Sequence, residues 1–161
     1  MKPKVYVETT VLGYLTSRPS GDLVVAGRQK ITRDWWRYAL NAFDLVVSEL
    51  VHREASAGDP QAIRDRREAL KGLPVLAISE SAEDFARALV AGGAVPSTER
   101  EDSLHIALAV VNGIQYLVTW NFKHIANAAI RSRIQGVCIA EGYDPCTICT
   151  PEELREPESD D

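Results

Sequence analysis

The chain has 161 residues, 45% of them hydrophobic, with a formal net charge of -5 and a pI of about 5.3. That size suits one compact domain with a sizeable core, and the composition excludes a wholly disordered chain. The acidic balance excludes binding of long nucleic acid by net charge alone, so any nucleic-acid contact must be local and helped by bound cations.

The start, "MKPKVYVETT", lacks an apolar stretch of signal-peptide length, and no run is long enough to span a bilayer. The chain is read as cytoplasmic, with no membrane association. Three cysteines, an odd number, argue against a disulfide framework. "CTIC" with Cys138 offers three thiolates and no fourth zinc ligand nearby.

In chain order, "KVYV" (4–7) reads as a strand that runs into Glu8, Thr9 and Thr10 and then an apolar, helix-like stretch. "DLVVAGRQKITRDWWRYAL" from Asp22 reads as a long amphipathic helix. "FDLVVS" (43–48) reads as a second strand, with Ser48 capping a short helix that carries Leu50, Val51 and Glu54. The next helix takes Asp59 as N-cap, Pro60 at its first position and Gly72 as stop. "PVLAIS" (74–79) is strand-like and is followed by a helix over 80–91 and the loop "GGAVP". A helix over 98–112, opened by Ser97 or Thr98, ends at Asn112-Gly113. "QYLVTW" (115–120) reads as strand, a helix follows to about residue 135, and "GVCIA" (136–140) is expected as a last short strand. The final residues, "EPESDD", are acidic, lack apolar side chains and are expected to be disordered.

Alternating strands and helices predict an α/β fold, a three-layer α/β/α sandwich around a mostly parallel sheet. In such sheets ligands bind beyond the carboxyl ends of the strands. Glu8 directly follows the first strand, and Asn121 follows "QYLVT". Glu54 shares the apolar helix face of Leu50 and Val51, while Glu49 lies about 140° away and is read as solvated. Asp102, in a first helical turn, has Ile106 and Ala109 at inward-facing offsets. Taken singly, Glu8 reads as a strand-end acid, Glu54 as an arginine partner, Asp102 as a dipole-stabilising acid and Asn121 as an N-cap. Together they point to a site. Two carboxylates about 5 Å apart repel by about 3 kcal/mol at an effective dielectric near 20, so a cluster of three calls for a cation. Oxygen ligands favour Mg²⁺, with Mn²⁺ as a substitute.

At "VYVETTVLGYL", "VVSELVHREAS", "DSLHIALAVVNGIQYLVTWNFKHI" and, more loosely, "CTPEEL", the chain resembles the PIN-domain ribonucleases, specifically the VapC-like toxins of type II toxin–antitoxin systems. The resemblance implies one PIN-like nuclease domain over 1–150, with 151–161 as the acidic tail. It implies a metal-dependent endoribonuclease, a cognate antitoxin protein that blocks the site, and a homodimer. Glu8, Glu54 and Asp102 then stand at the three acid positions that hold Mg²⁺, and Asn121 stands where many members have a fourth aspartate. Thr10 takes the hydroxyl position beyond the first acid, Thr119 belongs to the T-x pair before the fourth, and both are expected to contact substrate. The departures are Glu8, one methylene longer than the usual aspartate, and the neutral Asn121. They imply one firmly held ion and weaken a second-metal site.

Arg18, in the loop "TSRPS", is a candidate contact to an RNA backbone. His105 reads as a satisfied core histidine, and His124 as capping or packing. Of Trp35 and Trp36, one is expected in the core. The alternative reading is a catalytically weak or inactive PIN-like RNA-binding or interaction module. An aspartyl-phosphate phosphatase would need an aspartate where Glu8 stands, and no phosphate-binding glycine loop occurs.

Overall fold

The structure is a computed structural model and describes residues 1–156. Five parallel strands form one sheet in the order β3-β2-β1-β4-β5. They are β1 (Lys4–Val7), β2 (Asp44–Ser48), β3 (Val75–Leu76), β4 (Tyr116–Val118) and β5 (Thr147–Cys149). Among the described residues the helices are α1 (Thr9–Thr16), α2 (Leu23–Ala42), α3 (Glu49–Ala55), α4 (Pro60–Leu70), α5 (Glu80–Ala91), α6 (Arg100–Val111) and α7 (Ala128–Glu141). This is the expected three-layer α/β/α architecture.

The central strand is β1, and its Val5, Tyr6 and Val7 are wholly buried because helices cover both faces of the sheet. Register pairs Tyr6 with Val46 on one side and with Leu117 on the other. Strand order reverses between β1 and β4, so the crevice at the switch point opens at the carboxyl ends of these two strands.

Most helix starts follow from local chemistry. The side chains of Asp22, Ser48 and Asp59 accept the N–H groups of Val25, Val51 and Ala62 at 3.0, 3.2 and 3.0 Å. Pro60 takes the first position of α4, where its missing N–H costs nothing. Of the paired tryptophans, Trp35 is buried and Trp36 packs half-buried against the core.

Several expectations change. Residues 136–140 do not form a strand: they lie in α7, where Ile134 and Cys138 are buried four residues apart. That spacing is helical, and Gly142 closes the helix in the left-handed conformation, φ 80°. The last strand is instead "TIC", with Ile148 and Cys149 buried. The helix after β4 starts at Ala128 rather than near 122, capped by Asn127, and runs on to Glu141. Neither Ser97 nor Thr98 caps α6. Its N-cap is Glu99, which makes no side-chain capping bond. Order also continues past residue 150, since Pro151 is buried and Leu154 packs against the core. Residues 157–161 of the acidic tail lie outside the described residues.

Candidate active site

Glu8 is the N-cap of α1 and is 2% exposed. Its Oε2 accepts the Thr10 N–H, and its Oε1 accepts the hydroxyls of Thr10 (3.0 Å) and Thr119 (2.8 Å). Burial pushes its carboxyl above the ordinary value of 4.5, against the opposing pull of His105 and of these donors. Thr10 also accepts the Trp120 N–H at 2.9 Å, and the wholly buried Thr119 accepts the Asn121 N–H at 2.9 Å. Both hydroxyls therefore clip the end of β1 to the end of β4.

Asn121 continues the chain of bonds. Its amide nitrogen donates to Asp102 Oδ1 at 3.0 Å, and its carbonyl oxygen accepts the His124 N–H at 3.0 Å. Asp102 is half-buried, and desolvation raises its carboxyl above the ordinary aspartate value despite the Asn121 bond. An aspartate in place of Asn121 would put a second negative charge against Asp102 where the amide now donates.

Glu54 has a different environment. Its Oε1 accepts from the Thr9 hydroxyl at 2.6 Å and meets His105 Nε2 at 2.5 Å. A carboxylate can only accept, so Nε2 carries the hydrogen. His105, 2% exposed, meets the Tyr6 hydroxyl through Nδ1 at 2.7 Å, and that hydroxyl meets Ser48 Oγ at 2.7 Å. Burial would raise the Glu54 carboxyl, but the His105 bond and charge and the Thr9 hydroxyl outweigh it and hold it below 4.5. The Tyr6 hydroxyl is driven far above its ordinary value by burial and stays protonated.

Glu8, Asn121 and Asp102 are thus joined in one hydrogen-bonded network, and Glu54 in a second that reaches Thr9, the residue next to Glu8. Their acids do not form a compact trio. Among the described residues, the group whose ligating atoms all lie within 4.8 Å of one another is Glu99, Asp102 and His124. Glu99 and His124 were not expected there. The legible signal was spacing: Glu99 and Asp102 are three residues apart and share a helix face. Because Glu99 makes no capping bond, its carboxylate is free to turn to His124, 3.5 Å away. The donor set, two carboxylates with one imidazole, could hold a divalent cation. Desolvation of the half-buried Asp102 is what a cation bound in this group would offset.

Arg18 is exposed on the loop after α1. The buried Gln29 anchors that loop by donating to Ser17 Oγ (2.9 Å) and the Arg18 carbonyl (2.8 Å) and accepting the Ser20 N–H (3.0 Å). Glu49, the solvated acid, accepts the Ile78 N–H at 3.0 Å and so braces the segment after β3.

No protein-family model matches the chain, and no curated protein matches it. Among solved structures, it is similar to a chain of VapBC2 from Rickettsia felis bound to a DNA fragment from their promoter. The TM-score is 0.60 at 12% identity, over 91% of this chain and 98% of that one. Identity that low speaks to architecture, and on architecture the match and the sheet order agree: this chain has the VapC-like PIN fold.

Proposed function

We propose that the chain is a metal-dependent endoribonuclease toxin that hydrolyses RNA phosphodiester bonds and is inhibited by a cognate antitoxin protein. What supports this reading is the hydrogen-bonded run from Glu8 through Thr119 and Asn121 to Asp102 at the carboxyl ends of β1 and β4, with Glu54 bonded to the neighbouring Thr9. A cytoplasmic location and a homodimer belong to the same reading. No described helix is long and apolar enough to cross a membrane.

Asp102 belongs both to the expected acid trio and to the compact group with Glu99 and His124, so it is the residue that would hold Mg²⁺ or Mn²⁺. Glu8 and Glu54 complete the acid edge. A divalent ion there supplies positive charge to a phosphoryl transition state and acidifies water. Asp102, held at the carboxyl end of β4 by the Asn121 amide, is placed to accept the proton of the attacking water. Glu54, held low by His105, keeps its charge and orients that water through Oε2, the oxygen that neither Thr9 nor His105 occupies. Thr10 and Thr119 keep Glu8 and Asn121 in place, and Arg18 meets the RNA backbone.

One observation favours a second reading, an RNA-binding module with weak or no turnover. Glu8 has both oxygens engaged and is 2% exposed, which makes it a structural cap as well as a candidate ligand. End-sequencing of cellular RNA after incubation with the purified chain separates the two readings. Discrete cuts that need Mg²⁺ and Asp102 establish the nuclease. Mn²⁺ binding without cuts establishes the module.

A further inference from the structure

Beside the acid edge, α2 and the segment after β4 build a second feature that the hydrolytic residues do not use. Trp120 and Phe122 flank Asn121, and their rings meet edge-to-face with centroids 6.0 Å apart. Trp120 is buried and locked: its indole N–H donates to Thr32 Oγ1 at 2.9 Å. Thr32 in turn donates to the Arg28 carbonyl at 2.6 Å, which ties this part of α2 to the strand end. The Arg28 guanidinium carbon lies 5.6 Å from the Trp120 ring centroid and 4.8 Å from that of Phe122. Among the described residues no carboxylate pairs with Arg28, so its N–H donors are uncommitted. Phe122 is 40% exposed, and Val24, one turn before Arg28 on the same helix face, is 62% exposed.

The half-exposed Phe122 ring and the guanidinium beside it, which lacks an acid partner among the described residues, offer an apolar face and a cation side by side at the rim of the site. Nucleotides offer both partners at once: a base face for the ring and a phosphate for the guanidinium. We propose that Phe122 and Arg28 form a nucleotide subsite, in which a base of single-stranded RNA stacks on Phe122 while Arg28 bonds the adjoining phosphate. Its place next to Asn121 seats a nucleotide beside the scissile phosphate. It also explains how a chain of net charge -5 holds RNA, through a local cation and stacking rather than through overall charge. This inference rests on the ribonuclease reading above.

The test measures fluorescence anisotropy of a labelled single-stranded RNA of mixed sequence, and of copies with one base at a time removed. The full chain carrying Asp102→Asn, which prevents turnover, is compared with the same chain carrying Phe122→Ala, Phe122→Trp or Arg28→Ala. Circular dichroism checks folding. Phe122→Ala is expected to weaken binding about tenfold, the usual scale of a lost base stack, and Phe122→Trp to retain it. Removing one particular base should cost the Phe122 chain that same factor and cost the Phe122→Ala chain nothing more. Arg28→Ala should lower the slope of log affinity against log salt by about one. Phe122→Ala and Arg28→Ala chains that bind like their parent overturn the subsite, and if the unsubstituted chain still cuts RNA, the nuclease reading survives. If the unsubstituted chain neither binds nor cuts RNA, both fall. If the two substitutions leave RNA binding intact but release a co-expressed antitoxin, the patch is a protein contact and the inference is overturned.

Discussion

On the β1–β4 side of the acid edge, Glu8 and Asp102 are hydrogen-bonded to neutral donors, two hydroxyls, a backbone N–H and an amide. On the β2–α3 side, Glu54 is bonded to His105, whose far nitrogen meets Tyr6. The consequence is opposite in sign. Glu8 and Asp102 are pushed up by desolvation, whereas Glu54 is held down. Burial alone therefore does not set the state of a carboxylate in this site. The partner decides: Glu54 is hydrogen-bonded directly to the His105 imidazole, whereas Asp102 takes its hydrogen bond from the neutral Asn121 amide with His124 standing nearby. The Asp102 side is the one that gains from a divalent ion.

The largest effect should come from the side that holds Asp102. Asp102→Asn should lower metal-dependent RNA cleavage by about 10²–10⁴-fold, the scale for a lost acid–base group, in single-turnover assays. It should also remove the rise in melting temperature that saturating Mn²⁺ gives the unsubstituted chain, an effect worth about 2.7 kcal/mol at 100 times the dissociation constant. Full activity in Asp102→Asn would break the comparison, because Glu54 would then carry the chemistry.

Next in size is the removal of the internal partner on the other side. His105→Ala empties a buried site and strips Glu54 and Tyr6 of a hydrogen bond, so urea unfolding should show a loss of about 3 kcal/mol. Tyr6→Phe, which leaves the Glu54 bond intact, should cost about 1 kcal/mol. If His105 acts on Glu54, its substitution should cost clearly less in a Glu54→Gln background, and strictly additive losses would show that it does not. Thr119→Val keeps shape and deletes the hydroxyl that serves both Glu8 and Asn121. A loss of about 1–2 kcal/mol is expected by the same unfolding assay.

The smallest effect is a change of slope with pH. Glu8 sits above the ordinary 4.5 in the folded chain, so its contribution to stability is fully present below 4.5 and is lost as pH rises through the raised value. Glu54 runs the other way: its contribution is present above 4.5 and is lost as pH falls through the lowered value. Denaturant midpoints from about pH 3 to about pH 8 should therefore fall less steeply on the alkaline side for Glu8→Gln, and Glu54→Gln should flatten the acid side. Added Mn²⁺ should reduce the alkaline loss in the unsubstituted chain. Identical pH profiles for the two variants would remove the distinction between the two sides.

Much of the fold was legible in the chain. The runs that became β1, β2 and β4 stood out by composition, and Asp22, Ser48 and Asp59 marked helix starts through side chains that bond within three residues. The error at "GVCIA" has the same local root: a short apolar run reads alike as strand or buried helix until its burial period is known. Thr119, Glu99 and His105 show a different limit. The bond from Thr119 to Glu8 spans 111 residues, and that from His105 to Glu54 spans 51. His105 was legible as a satisfied core histidine, but nothing near it in sequence says that the group satisfying it is a site acid.

The sequence by itself determined the α/β alternation, the caps at Asp22, Ser48 and Asp59 and the placing of acids after strand ends, because each rests on propensities and hydrogen bonds among near neighbours. The strand order, the pairing of Glu54 with His105, the clipping of Glu8 by Thr119 and the gathering of Glu99, Asp102 and His124 were decided only in the tertiary structure. These depend on which strands lie side by side in the sheet, a choice made by packing the whole core and not by any segment within it.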